Sequence, residues 1–207
     1  NFMLTVFNKQ TMNILPLGNS LTNGSNMFNS YRRDLWQMLH KANYNFDFIG
    51  SWDKPNIGGN VPNADFDMDH DGHSGWKASD LLNQPDWDKQ RGNIRDWLLT
   101  YKPDIVLLEF GTNEVFQCIS NADAIDNIDT VIQLLRKKNK SVKIFIAQIP
   151  PLGATWADKK LCNNDTEYSK AVLTFNKALL QYSKVKNSNT SPIIIVDQFT
   201  GINPAID

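Results

Sequence analysis

The sequence predicts an α/β domain in which short buried strands alternate with amphipathic helices. Five short apolar runs, rich in Ile, Val, Leu or Phe, have the length and composition of buried parallel strands: residues 12–17, 46–49, 105–110, 142–147 and 193–196. The segments between these runs carry apolar residues at helical spacing: 30–42, 78–82 with 94–101, 122–138 and 166–184.

This alternation favours a doubly wound sheet with right-handed crossovers. We therefore expect a three-layer, flavodoxin-like α/β fold, with a five-stranded parallel sheet and helices on both faces. In such sheets the loops at the carboxyl ends of the strands build the functional site. Residues 54–71 form a long polar stretch without clear periodicity, and we expect this loop to shape substrate access.

Length and charge limit the functions to be considered. The 207 residues fit a single domain, placed at 1–207, and the net charge of −1 offers no basic surface for nucleic acid. No apolar run is long enough to span a membrane. The first ten residues lack the apolar core of a signal peptide, so a signal was either removed or never present.

The cysteines and the glycosylation sequons give evidence about the cellular location of the protein. Two cysteines favour an oxidising environment and hence a secreted protein, although two free thiols remain an alternative. Asn-X-Ser/Thr sequons, which also arise by chance in an Asn-rich chain, occur at Asn23, Asn139, Asn164 and Asn189.

Three polar clusters stand where the predicted sheet would present a site. Ser20 follows the first strand in "PLGNSLTNG", Asn113 follows the third strand in "FGTNE", and Gly75 lies in a turn before a helical stretch in "GHSGW". A hydroxyl with backbone and amide N–H donors is the equipment of acyl transfer, because the donors stabilise a developing oxyanion. Asn19 and Ser20 could alternatively do no more than cap the following helix. We expect Ser20, the Gly75 N–H and Asn113 to converge in one pocket.

These blocks, in this order, resemble those of the SGNH (GDSL-type) hydrolases. The resemblance covers nearly the whole chain, and "GHSGW", "IPP" and "VDQFTGINPA" are similar to secreted carbohydrate esterases that deacetylate xylan and related polysaccharides. It implies that Ser20 is the nucleophile, that Gly75 and Asn113 form the oxyanion hole, and that no cofactor is needed. Two positions depart from the family pattern, since Asn19 and Glu114 stand where the family usually has Asp.

The same resemblance implies which residues accompany the nucleophile in the site. We expect substrate-binding or positioning roles for Asn19, His73, Trp76 and Glu114. Tryptophans more often pack in the core or at a rim than bind sugar, which applies to Trp52, Trp87 and Trp97. Trp76 and, after it, Trp156 are the ones placed to line a carbohydrate site.

The chain lacks an evident general base. A serine esterase needs a histidine oriented by a carboxylate, which this family carries in a D-x-x-H block near the C-terminus, and no such block is present. We expect the missing block to lie beyond Asp207. Of the three histidines, His40 has the setting of a structural residue, and His70 and His73 match no closed metal site with Asp69 and Asp71, so no metal is expected. His73 remains a rival candidate for the base.

Two hypotheses therefore compete. The first is a serine esterase acting on acyl, foremost acetyl, esters of carbohydrate. The second is a catalytically silent SGNH domain that serves as an extracellular binding or assembly module. Nucleotide binding is disfavoured because no G-x-G-x-x-G or Walker A pattern follows a strand.

A disulfide between Cys118 and Cys162 is also predicted. Each cysteine follows one of two neighbouring strands, so their loops should meet above the carboxyl edge of the sheet. The bridge would tie two loops of the site together.

Overall fold

The computed structural model describes residues 10–55, 59–151 and 167–202. The strands in these ranges are β1 (Met12–Gly18), β2 (Phe46–Phe48), β3 (Asp71–Gly72), β4 (Ile105–Glu109), β5 (Lys143–Ala147) and β6 (Ile193–Val196). The helices are α1 (Ser20–Asn23), α2 (Ser30–Lys41), α3 (Ala78–Asn83), α4 (Ile94–Thr100), α5 (Thr112–Phe116), α6 (Asn121–Lys138) and α7 (Tyr168–Lys186). A 3₁₀ turn covers Asp86–Asp88.

The strands form one parallel sheet in the order β2-β1-β4-β5-β6, and β3 pairs with β1 beyond the end of β2. The predicted doubly wound α/β fold is confirmed, with all five predicted strands in place. The two-residue strand β3 was missed because it is too short to show a period. It ends the stretch that the sequence predicted to be a loop.

One face of the sheet carries the main hydrophobic core. The register of β1, β4, β5 and β6 brings a row of aliphatic side chains to this face: Leu15, Leu17, Val106, Leu108, Ile144, Ile146 and Ile193. Apolar residues of α3, α4, α6 and α7 pack against this row. Burial of this area supplies most of the driving force for folding.

The opposite face is covered less completely. Among the described residues, α2 packs there, and an apolar cavity of about 300 Å³ lies between this helix and the sheet. The cavity is lined by residues such as Leu35, Leu107, Phe145 and Val196, and Ile194 of β6 is 39% exposed. Helices lie on both faces, as predicted, and the described residues cover the second face only in part, whereas parallel sheets usually have both faces covered.

Local caps define where the helices begin. Ser120 accepts a hydrogen bond from the Asp123 N–H at 3.1 Å and so starts α6, which ends with three basic residues in its last turn. Asn93 caps α4 in the same way through the N–H of Arg95 at 2.9 Å. None of the described helices has the length and apolar composition needed to cross a membrane.

The structure describes three of the four predicted glycosylation sequons and one of the two cysteines. Asn23 and Asn139 are buried, and their amides donate to Ser74 at 2.9 Å and to the Pro103 carbonyl at 2.8 Å, so these two sequons serve packing. Cys118 is disulfide-bonded. Trp156, Cys162 and Asn164 lie outside the described residues, so the pairing of Cys118 with Cys162 stays a prediction.

Candidate active site

Ser20 is the first residue of α1, directly after the exit of β1. Gly18 makes this exit possible, because a Cβ atom there would overlap the Thr22 hydroxyl and lie 2.8 Å from the Glu109 carbonyl oxygen. The Asn19 side chain caps α1 by accepting from the Leu21 N–H at 2.9 Å. The Ser20 N–H has no acceptor within the described ranges. The capping role expected of Asn19 therefore coexists with a hydroxyl at the sheet edge.

Gly75 lies in a tight turn that follows β3. The turn is closed by the Trp76 N–H, which donates to the His73 carbonyl at 3.2 Å, and Gly75 has a φ of +82°, which favours glycine. The His73 N–H donates to the Gly18 carbonyl at 2.8 Å, so the turn is tied to the exit of β1. The Gly75 N–H makes no hydrogen bond to another described residue and is free to donate to a ligand.

Asn113 lies in α5, after β4. Its Nδ2 donates to the Trp76 carbonyl at 2.7 Å, which uses one amide hydrogen and leaves the other available. Since β3, β1 and β4 are adjacent, the loops carrying Gly75, Ser20 and Asn113 follow neighbouring strands at the same edge. These contacts support the expected convergence of the three residues, which itself stays a prediction.

Glu114 links the loop that contains Gly75 to the loop that contains Asn113. Its carboxylate accepts from the Ala78 N–H at 2.7 Å and from the Gly111 N–H at 2.9 Å, and the side chain is buried. Burial raises the pKa of Glu114, while the backbone donors lower it. The residue therefore joins the start of α3 to the start of α5.

The four side chains expected to bind substrate lie below the surface. Asn19, His73 and Trp76 are fully buried and Glu114 is nearly so. This burial agrees with the positioning roles expected for them, and a role in substrate binding stays a prediction. The Glu114 carboxylate bonds the backbone at the starts of α3 and α5, the Asn19 amide bonds Glu109, and the His73 ring packs against Trp76.

Glu109, which the sequence analysis did not single out, is a buried acid beneath the nucleophile. Its Oε1 accepts from Asn19 Nδ2 at 3.2 Å, and Thr22 Oγ1 donates to its Oε2 at 3.5 Å. Burial, together with the nearby charge of Glu114, raises the pKa of Glu109 to about 8. The signal was available in the sequence, since a carboxylate interrupts the apolar run "IVLLEF".

None of the three histidines in the chain is placed as a general base for Ser20. His40 stacks on Trp36 in α2, with ring centroids 4.9 Å apart. His70 accepts from the Gly72 N–H through Nδ1 at 2.8 Å, so its protonated Nε2 faces the Lys54 carbonyl at 3.2 Å.

His73 is enclosed between two indole rings. Its centroid lies 4.2 Å from that of Trp76 and 5.0 Å from that of Trp97. Burial, followed by the charge of Arg91, lowers the pKa of His73 to about 3, and neither ring nitrogen has a hydrogen-bond partner in the described part of the chain. The nearest carboxylate, Asp71, is 4.0 Å away, and burial raises its pKa to about 7. An imidazole with such a low pKa is a weak proton acceptor and therefore a poor general base.

An open cleft of about 590 Å³ begins beside α1. Leu21, Phe28 and Tyr31 line one side, and Pro62, Pro150 and Gln198 contribute to the rest. Pro62 belongs to the polar stretch expected to shape substrate access. Asn63 in the same stretch exchanges two hydrogen bonds with Asn29, at 2.9 and 3.0 Å, which fixes this rim of the cleft.

Comparison with known proteins agrees with this architecture. The sequence model of the GDSL-like Lipase/Acylhydrolase family matches residues 17–184. The chain belongs to this family. The matched range contains Ser20, Gly75 and Asn113.

Solved structures and a curated relative are similar as well. A carbohydrate esterase family 3 protein from Talaromyces cellulolyticus is 25% identical, with a TM-score of 0.72 over 94% of this chain and 83% of that protein. An acetyl esterase mutant with an acetate ion is 25% identical, with a TM-score of 0.71 over 91% and 80%. A multidomain esterase of Ruminococcus flavefaciens is 31% identical over 153 residues, which are 69% of this chain but only 20% of that protein.

Proposed function

We propose that this chain is the nucleophile-bearing domain of a serine esterase that hydrolyses acyl esters, foremost acetyl esters of carbohydrate. The observation that carries the proposal is the link between the three clusters. Asn113 Nδ2 bonds the carbonyl that follows Gly75 at 2.7 Å, and the Gly75 and Ser20 N–H groups are free among the described residues. The family membership and the similarity to an acetyl esterase and a carbohydrate esterase support the same substrate class.

The proposed reaction has two steps. In the first, Ser20 Oγ bonds to the acyl carbon, the carbonyl oxygen takes up negative charge, and the sugar hydroxyl leaves with a proton. In the second, water attacks the acyl-serine, and the carboxylic acid departs as Ser20 regains its proton. Neutral N–H donors from Ser20, Gly75 and Asn113 would stabilise the oxyanion in both steps, and one well-placed donor contributes about 3 to 4 kcal/mol.

The proton of Ser20 requires an acceptor that the histidines of this chain do not provide. Loss of the base from a serine triad typically leaves a rate of about 10³ to 10⁴ over water. We therefore expect slow turnover by residues 1–207 alone. None of the three imidazoles hydrogen-bonds to Ser20 within the described residues, which also favours the second candidate, a silent domain that binds saccharide without hydrolysing it.

Chemical rescue separates the two candidates. Acetate release from acetylated xylotetraose is measured with increasing imidazole for the wild type and for Ser20→Ala, which corrects for hydrolysis by imidazole itself. Imidazole-dependent release that requires Ser20 would support the esterase. Identical release by both proteins, with no labelling of Ser20 by a fluorophosphonate, would favour the silent domain.

One further variant tests the reasoning about the base. His73→Phe preserves an aromatic ring between Trp76 and Trp97, so it should retain the fold. We expect its rate without imidazole to match that of the wild type. Fast wild-type turnover that is lost in His73→Phe would instead identify His73 as the base.

A further inference from the structure

Trp87 stands at the surface directly beside the proposed oxyanion glycine. It lies in the middle of the 3₁₀ turn Asp86–Asp88 and is 63% exposed. A Cβ atom built on Gly75 would lie 3.4 Å from Cη2 and 3.8 Å from Cζ2 of its indole. The edge of the ring therefore rests against Gly75, while most of its surface is open to solvent.

The turn that carries Trp87 is held in place by contacts with the buried Trp76 and the half-buried Arg91. Asp88 Oδ2 accepts from Trp76 Nε1 at 3.1 Å, and Asp88 Oδ1 pairs with Arg91 Nε at 3.3 Å. The Arg91 guanidinium in turn lies 3.6 Å from the ring centroid of Trp52. Since Trp76 directly follows Gly75, these contacts fix the Trp87 turn relative to the oxyanion loop.

The position of the exposed indole, rather than its exposure alone, points to a partner. Singly exposed apolar side chains are common on protein surfaces, but this ring lies against the glycine whose N–H is a proposed oxyanion donor, on a turn whose neighbouring residue is anchored. A rigid aromatic side chain with an open face offers large contact area at little cost in conformational entropy. A pyranose ring presents one face of C–H groups that matches such a surface, with its hydroxyls at the rim.

We propose that Trp87 is a stacking platform for a sugar ring of the alcohol part of the ester. The proposal rests on the proposed function and names a specificity-determining residue for it. Trp76 was the tryptophan expected to contact sugar, but it is fully buried and acts as the anchor for the Trp87 turn. An ester without a sugar would gain little from this contact.

Saccharide binding tests the proposal without any requirement for turnover. Xylotetraose is titrated into ¹⁵N-labelled wild type, Trp87→Ala and Trp87→Tyr, and the indole N–H signals are followed by NMR. We expect the Trp87 signal to shift, and Trp87→Ala to weaken binding by about ten-fold. Trp87→Tyr should retain part of the affinity, since it keeps an aromatic face.

Leu99→Ala serves as the control, because Leu99 is another exposed apolar side chain, 80% exposed in α4. It should bind xylotetraose as the wild type does. Equal binding by wild type and Trp87→Ala, or no shift of the Trp87 signal up to millimolar saccharide, would overturn the proposal.

A comparison of two substrates under imidazole rescue distinguishes failure of the Trp87 proposal from failure of the proposed esterase activity. We expect Trp87→Ala to raise KM for acetylated xylotetraose about ten-fold more than KM for ethyl acetate, which has no ring. Saccharide binding at Trp87 without Ser20-dependent turnover would leave this proposal standing and reject the esterase. Ser20-dependent turnover with equal effects on both substrates would reject the role of Trp87 alone.

Discussion

Replacement of Glu109 by glutamine should change how stability depends on pH. Glu109 is buried beneath Asn19, and burial raises its pKa from 4.5 to about 8. At about 1.4 kcal/mol per pKa unit, this rise corresponds to about 5 kcal/mol in favour of the protonated carboxyl in the folded state. Glutamine resembles that protonated form in shape and in its hydrogen-bonding groups, but it does not titrate.

The direction of the effect follows from linkage. The folded state favours protonated Glu109. The stability that the wild type gains from this preference is complete below the unfolded pKa near 4.5 and is lost as the pH rises through about 8. The stability of Glu109→Gln relative to the wild type should therefore increase by about 4 kcal/mol between about pH 5 and pH 8.5. Urea unfolding followed by tryptophan fluorescence at several pH values measures this difference.

Subtracting the wild-type free energy of unfolding from that of the variant at each pH isolates the effect of Glu109 from that of the other buried acids. Burial also raises the pKa values of Asp69, Asp71 and Glu114, and these residues are present in both proteins. Glu167→Gln, at a half-exposed carboxylate paired with Lys170 at 3.2 Å, is the control and should show no such trend. A stability difference for Glu109→Gln that is independent of pH would refute the reasoning.

Moving the carboxyl group to position 19 and the amide group to position 109 tests whether the two side chains act as a pair. Asn19→Asp would place a second carboxyl group about 3 Å from Glu109 and should cost several kcal/mol above about pH 8, where both groups would have to be ionised. The double variant Asn19→Asp/Glu109→Gln restores an amide-carboxylate hydrogen bond with reversed polarity. We expect it to recover about 1 to 3 kcal/mol relative to additivity, and simple addition of the two single effects would contradict direct pairing.

Three further predictions concern the frame of the site and the sheet. Glu114→Gln turns an amide hydrogen toward one of two backbone donors and should lower the free energy of unfolding by about 2 kcal/mol in urea denaturation. Gly75→Ala forces a side chain into a φ of +82° against Trp87, which should cost about 1 to 2 kcal/mol and slow fluorophosphonate labelling at the nucleophile. Ile144→Ala, on the core face, should cost about 3 kcal/mol, whereas Ile194→Ala on the partly open face should cost about 1 or less; similar losses would contradict the unequal burial of the two faces.

The sheet could be predicted because its strands are short and almost wholly apolar. The strands at residues 105–109 and 143–147 each lie between two other strands and consist mostly of apolar residues, so their composition alone identifies them. The short elements β3, α1 and α5 escaped prediction for the opposite reason. Their conformations are set by caps and cross-loop bonds, such as Asn19 to Leu21 and Glu114 to Gly111, rather than by apolar periodicity.

The site could be predicted at the level of backbone position but not of side-chain exposure. Motif order predicted that Ser20, Gly75 and Asn113 lie at one edge of the sheet, and in the structure they follow the adjacent strands β1, β3 and β4. Sequence proximity to Gly75 also suggested that Trp76 would contact sugar, yet the chain reverses there and buries Trp76, while Trp87, twelve residues from Gly75, lies against the glycine. Trp76 is buried against His73 and Trp97 and bonds Asp88, and these tertiary contacts have no signature in the sequence.

Glu109 gives a physical reason for the amide at position 19, where the family resemblance leads one to expect an acid. The two side chains face each other at 3.2 Å in a fully buried environment, so two carboxylates could not both be ionised there without a large penalty. An asparagine at this position donates one hydrogen bond to Glu109 and accepts another from the Leu21 N–H, which satisfies both polar ends of the amide. The departure at Asn19 is therefore coupled to the acid that ends β4, and the exit loop that presents Ser20 is held by this amide-acid pair.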